Sequence, residues 1–160
     1  MRRPVATAAS MMELGAALAR SLPPDRPASA VLYLRGDLGA GKTTLARGFL
    51  RACGVTGAIR SPTYTLMEIY ETPAVTVLHL DLYRVHDPEE LESLGLRDWV
   101  RAGHVWLIEW PERGKGRLMG ADLSATLTVQ SAVHDVELSS HTDLGSAWLA
   151  SAVEKVLPSP

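Results

Sequence analysis

A glycine-rich string between residues 36 and 43 limits what this chain can become more than any other part of it. Gly36-Asp37-Leu38-Gly39-Ala40-Gly41-Lys42-Thr43 fits the phosphate-binding pattern G-x-x-x-x-G-K-[ST], which needs a strand before it and a helix after it. Val31 to Leu34 is a short apolar, partly β-branched run that reads as a buried strand. Lys42 to about Cys53 reads as a helix, with Leu45, Phe49 and Ala52 on one face and Gly54 as its stop. Between them, glycines let the backbone wrap a phosphate closely. Amide N–H groups then converge on phosphate oxygens at a helix N-terminus. Asp37, Leu38, Gly39, Ala40, Gly41, Lys42, Thr43 and Thr44 are the expected nucleotide-binding residues. Lys42 brings positive charge to the β- and γ-phosphates, and the Thr43 hydroxyl is placed to ligate Mg2+.

The rest of the composition leaves this reading room. At about 150 residues per domain, residues 1–160 make one domain. Apolar residues at 46% and charged residues at 21% are ordinary for a globular protein and exclude a disordered chain, a coiled coil or collagen. A single cysteine, Cys53, excludes an internal disulfide framework and a cysteine-based zinc site, and fits a reducing compartment, so the expected location is cytoplasmic. No apolar run reaches the about 18 residues of a membrane span, so no membrane partner is expected. A net charge of −2 argues against gripping nucleic acid by bulk charge. Arg2 and Arg3 ahead of small and apolar residues have the outline of a leader peptide, but Glu13 interrupts it. Ser10-Met11-Met12-Glu13 reads instead as a capping box opening an amphipathic helix, with Met11, Leu14, Leu18 and Leu22 on one face and Pro23-Pro24 as its end.

Further along, Thr65 to Tyr70 and Val75 to Leu82 read as strands joined by a turn at Thr72-Pro73. In the second, Val75, Val77, His79 and Asp81 share one face, and Thr76, Leu78, Leu80 and Leu82 the other. Asp87-Pro88-Glu89-Glu90 is a strong helix start that Gly95 ends, and a second short helix is expected over Asp98 to Arg101. Val105 to Trp110 reads as a strand, Pro111 to Gly120 as a basic loop, and Leu123 to Gln130 with Val133 to Ser139 as a hairpin. Thr142 caps a last helix carrying Leu149, Val153 and Val156 on one face, until Pro158. Strands alternating with helices, then a hairpin, predict an α/β fold with a central, partly parallel mixed sheet flanked by helices.

A phosphate loop also needs carboxylates at neighbouring strand ends. Asp81 and Glu109 each terminate an apolar run, so either is the metal-linked acid and the other orients or deprotonates water. Ser61-Pro62-Thr63-Tyr64-Thr65 lies where nucleotide switches carry a sensing hydroxyl. Arg84 and Arg113 are candidate charge stabilisers, and Lys115 and Arg117 extend a small basic loop. The five histidines lack metal-ligand spacing. His79 shares a face with Asp81 but reads more readily as structural, and Trp110 as core or as a cap on the nucleotide. No Asn/Thr-Lys-x-Asp string reads guanine, which favours ATP.

With these residues in place, the chain resembles the TsaE (YjeE) family of bacterial P-loop ATPases. The likeness runs through GDLGAGKTTLARGFL from Gly36, SPTYTL from Ser61, HLDLYR from His79, DPEELESLGLRDW from Asp87 and IEWPERG from Ile108. It implies the P-loop NTPase fold and an ATPase, weak alone, that serves threonylcarbamoyladenosine formation in tRNA. It also implies docking on a TsaB–TsaD heterodimer, with tRNA contacted indirectly through those partners. By position Lys42, Asp81 and Glu109 carry over as catalytic residues, Thr43 and Glu109 as the Mg2+ residues, and Ser61 to Thr65 as a switch. Family members often carry an arginine just before the last strand. Here Ser131-Ala132-Val133-His134-Asp135 has none, so either His134 substitutes or the contact is missing. The segments before Val31 and after Gly120 match weakly, which leaves the adenine contacts unassigned. Two other functions fit a phosphate loop: a small-metabolite kinase, with Arg113 to Arg117 as its lid, and a regulatory module that binds ATP without hydrolysing it.

Overall fold

The computed structural model describes residues 1–26, 28–130 and 133–156. Its strands are β1 (Arg2–Val5), β2 (Ala30–Arg35), β3 (Met67–Glu71), β4 (Thr76–Asp81), β5 (His104–Glu109), β6 (Leu123–Gln130) and β7 (Val133–Ser140). Its α-helices are α1 (Ala8–Arg20), α2 (Lys42–Ala52) and α3 (Asp143–Val156). The strands form one sheet in the order β1-β7-β6-β2-β5-β4-β3. The centre, β6-β2-β5-β4, is parallel, whereas β3, β7 and β1 join antiparallel. This is the mixed α/β sheet that the strand and helix pattern predicts.

The central strands are apolar on both faces because both faces are covered. Leu32, Val77, Val105 and Leu107 pack with Leu14, Leu18, Leu45, Phe49 and Trp148 of the three helices. The alternate residues Val31, Leu78, Leu80, Trp106 and Ile108 pack with Leu91 and Leu96 on the opposite face. That second cover consists of two 3-10 segments, Pro88–Leu94 and Leu96–Trp99.

Close approach of α1 and α2 fixes where α2 begins. A β-carbon on Gly15 would lie 2.1 Å from the Leu45 carbonyl oxygen, and one on Gly48 would lie 2.0 Å from that of Met12. Only glycine allows the two backbones so near each other, so either substitution pushes α2 and the loop before it off the sheet.

Several expected details differ. β1 is a strand that the leader-like composition hides; it pairs with β7, and the Met1 amino group donates to the Leu138 carbonyl. The capping box of α1 is Thr7 with Ser10, three residues earlier than expected, and Glu13 pairs with Arg20 instead of capping. Ser21 closes α1 ahead of Pro23. Ala52 is exposed at the end of α2 rather than on its buried face. β3 starts at Met67, because Leu66 takes a left-handed φ of 62°. Asp87 and Glu90 do form a capping box, but for a 3-10 segment, and the next one begins at Leu96 rather than Asp98. The last helix buries Trp148 and Ala152, with Leu149 and Val153 at the flank. The side chain of Val156, and Pro158, lie outside the described residues. Among the described residues no helix is long and apolar enough to cross a membrane.

Candidate functional site

The phosphate loop leaves β2 at the C-terminal edge of the parallel strands, where ligands bind in open α/β sheets. Gly41 caps α2 at a φ of 105° with no side-chain hydrogen bond. The first N–H groups of α2 therefore have no side-chain acceptor of their own, which suits them to an anion. No atom lies within 4 Å of where a Gly39 β-carbon would sit, so the loop is open to the outside there.

Lys42 is buried at the base of this turn. Its Nζ donates to the carbonyl oxygens of Gly36 at 2.6 Å and Asp37 at 2.8 Å, and lies 4.0 Å from the Trp110 ring centroid. Burial lowers its pKa, and the carboxylates of Glu109 and Asp81 push back. Trp110 holds a left-handed φ of 57°, which ends β5 and turns the indole over Lys42, where Tyr83 packs against it at 5.0 Å.

Parallel pairing sets the two acids side by side: Asp81 of β4 is level with Glu109 of β5, and Glu109 is level with Leu34 of β2. Glu109 is almost fully buried. The Thr43 hydroxyl donates to its Oε2 at 2.9 Å, and His79 Nε2 meets its Oε1 at 2.8 Å. Asp81 accepts from the Thr63 hydroxyl at 3.1 Å and from the Tyr83 amide at 3.0 Å. Burial raises the Asp81 pKa, the Tyr83 amide opposes it, and Glu109 adds to it.

Lys42, Thr43, Asp81, Tyr83, Glu109 and Trp110 line one cleft of about 300 Å3, together with Leu38, Gly39, Gly41, Thr44, Ser61 and Thr63. Leu38 is exposed at the rim. Ala40 is buried and offers its carbonyl to His134 Nδ1 at 2.9 Å, so His134 touches the phosphate loop from β7. Arg84 and Arg113 are not among the cleft residues; Arg84 stacks on Tyr64 at 4.2 Å. Arg117 pairs with Glu89 and Glu92 and lines a separate groove. His79 lies beside the site, its buried ring hydrogen-bonded to Glu109. The signal was the shared strand parity of His79 and Asp81. Tyr83 gave no such signal, because its role depends on the turn after β4.

Among the described residues no group of three or more His, Cys, Asp or Glu forms a metal site. The donors present are a threonine hydroxyl and carboxylates, all hard oxygens. That set fits Mg2+ held jointly with a nucleotide, since Mg2+ seldom takes an all-protein cage.

The family model "Threonylcarbamoyl adenosine biosynthesis protein TsaE" matches residues 5–138. A protein named tRNA threonylcarbamoyladenosine biosynthesis protein TsaE from Haemophilus influenzae is 47% identical over 115 residues, covering 72% of this chain and 73% of that one. Proteins of the same name from Rickettsia bellii (45% over 83 residues) and Bacillus subtilis (44% over 80 residues) match 51% and 50% of this chain. Those two matches span 57% and 49% of the relatives' own lengths. A solved structure described as "Crystal structure of Bacillus subtilus YdiB" superposes with a TM-score of 0.79 over 97% of this chain and 95% of its own, at 20% identity. That likeness concerns the fold alone, a mixed α/β sheet flanked by helices.

Proposed function

The chain belongs to the TsaE family, and from that premise we propose that it is an ATP-binding, Mg2+-dependent ATPase serving threonylcarbamoyladenosine modification of tRNA. It works in the cytoplasm as one domain, residues 1–160, docking on a TsaB–TsaD heterodimer and meeting tRNA only through those partners. The observation that carries the reading is the level pair Asp81 and Glu109 beside the phosphate loop, with Glu109 bonded to Thr43.

Amides of residues 37–44 bind the triphosphate. Lys42 exchanges its bonds to the Gly36 and Asp37 carbonyls for phosphate oxygens. Thr43 and Glu109 would hold Mg2+, which would supply positive charge against the phosphates. Asp81 orients water and takes its proton, a task for which burial has raised its basicity. Thr63, bonded to Asp81, links that carboxylate to the Ser61–Thr65 segment. Trp110 and Tyr83 close one wall of the cleft. A kinase reading is weakened, because Arg117 is committed to Glu89 and Glu92 and neither Arg84 nor Arg113 lines the cleft.

Phosphate release measured with and without purified TsaB–TsaD, followed by nucleoside analysis of the tRNA, tests this. Release stimulated by the partners, with modified tRNA formed, is expected. Release that neither needs Mg2+ nor responds to the partners contradicts the reading.

A further inference from the structure

His79 is used by none of the steps above, yet it holds one of the two oxygens of Glu109. Both side chains are out of solvent, at 0% and 2% exposure. The Glu109 carboxylate is gripped at each end, by His79 Nε2 at Oε1 and by Thr43 Oγ1 at Oε2. A carboxylate only accepts, so Nε2 carries the hydrogen. Nδ1 is buried without a hydrogen-bond partner, and a hydrogen there would be a stranded donor. The imidazole therefore has one contact to make, and it points at Glu109. The pairing follows from the sheet: His79 is level with Leu107, two residues before Glu109, so the two side chains share a face.

We propose that His79 is a positioning residue, whose Nε2–H fixes the Glu109 carboxylate so that its other oxygen stays on Thr43 at the Mg2+ position. The proposal rests on the assignment of Thr43 and Glu109 to Mg2+. Without His79, Oε1 is a buried acceptor with no partner, and Lys42 is the nearby cation on which Glu109 acts. The carboxylate then swings from the metal position toward Lys42, which keeps its own place at the phosphate loop.

The test is binding of a fluorescent, non-hydrolysable ATP analogue to the full chain, titrated with Mg2+. His79→Ala is expected to bind the analogue without Mg2+ as the parent does, but to need about 10- to 100-fold more Mg2+ for tight binding. His79→Gln, whose amide N–H can replace Nε2–H, is expected to recover most of that loss. Nitrogen NMR of the unsubstituted chain is expected to show a protected Nε2–H proton that moves in Glu109→Gln, which keeps the test decisive if His79→Ala fails to fold. An unchanged Mg2+ requirement in His79→Ala, or a ring hydrogen on Nδ1, overturns the positioning role. Glu109→Ala separates the two layers: an unchanged Mg2+ requirement there overturns the Glu109 assignment itself, and with it the role of His79.

Discussion

The ends of β4 and β5 carry one acid each, level with one another, and differ in what holds them. Glu109 on β5 is tied by side chains from regular elements, Thr43 on α2 and His79 on β4. Asp81 on β4 is tied by the Thr63 hydroxyl and the Tyr83 amide, both from loops. The first arrangement suits a fixed charge that holds a metal. The second suits a base whose position depends on the loops beside it. Under the proposed function, two carboxylates from one pattern take separate tasks because of what their neighbours are made of.

The comparison breaks most visibly at Glu109. Glu109→Ala is expected to lower Mg2+-dependent turnover at least about 100-fold while nucleotide binding without Mg2+ persists. It also strands the Thr43 hydroxyl and His79 Nε2, costing about 1–3 kcal/mol in chemical denaturation. Asp81→Asn is expected to lower turnover by about 100- to 10,000-fold in phosphate-release assays, with the Mg2+ requirement for analogue binding unchanged. A parallel loss of Mg2+ dependence in both variants would erase the distinction.

A smaller effect appears in stability against pH. The folded-state pKa of Asp81 is raised, chiefly by burial. Between its unfolded and folded values the folded chain therefore binds the extra proton. Its favourable contribution is complete below the unfolded value, about 3.9, and is lost as pH rises through the raised folded one. Thermal unfolding across that range is expected to show a downward slope with rising pH in the parent that Asp81→Asn lacks. Smallest is Thr63→Val, expected to change stability by about 1 kcal/mol or less. Because the Thr63 bond holds the Asp81 pKa down, its removal moves the pH–rate profile upward.

Much of this site was legible in the sequence because it depends on short-range rules. The phosphate loop is a contiguous string, and Asp81 and Glu109 end apolar runs that could hardly be anything but buried strands. Their level pairing needed only the parallel sheet. The remainder depends on long-range partners. β1 is a strand because β7 offers an edge, which composition near Arg2 and Arg3 does not reveal. The capping box at Thr7 and Ser10 is masked by the Ser10–Glu13 pattern three residues later, which matches the S-x-x-E rule more closely. Trp110 ends β5 through a left-handed turn, a conformation that no rule assigns to tryptophan. His134 meets Ala40 across 94 positions of chain, a contact to the phosphate-loop backbone that no local pattern reveals, while residues 131 and 132 beside it lie outside the described residues.

At the heart of the proposed function, residues 37–44 clasp a triphosphate with Thr43 at its metal. A crystal structure with Mg2+ and a non-hydrolysable ATP analogue tests it most directly. The expected result is phosphates wrapped by those amides, Lys42 turned from the Gly36 and Asp37 carbonyls onto phosphate oxygen, and the Thr43 hydroxyl on the metal. A nucleotide bound elsewhere, with Lys42 still on the two carbonyls, would contradict it.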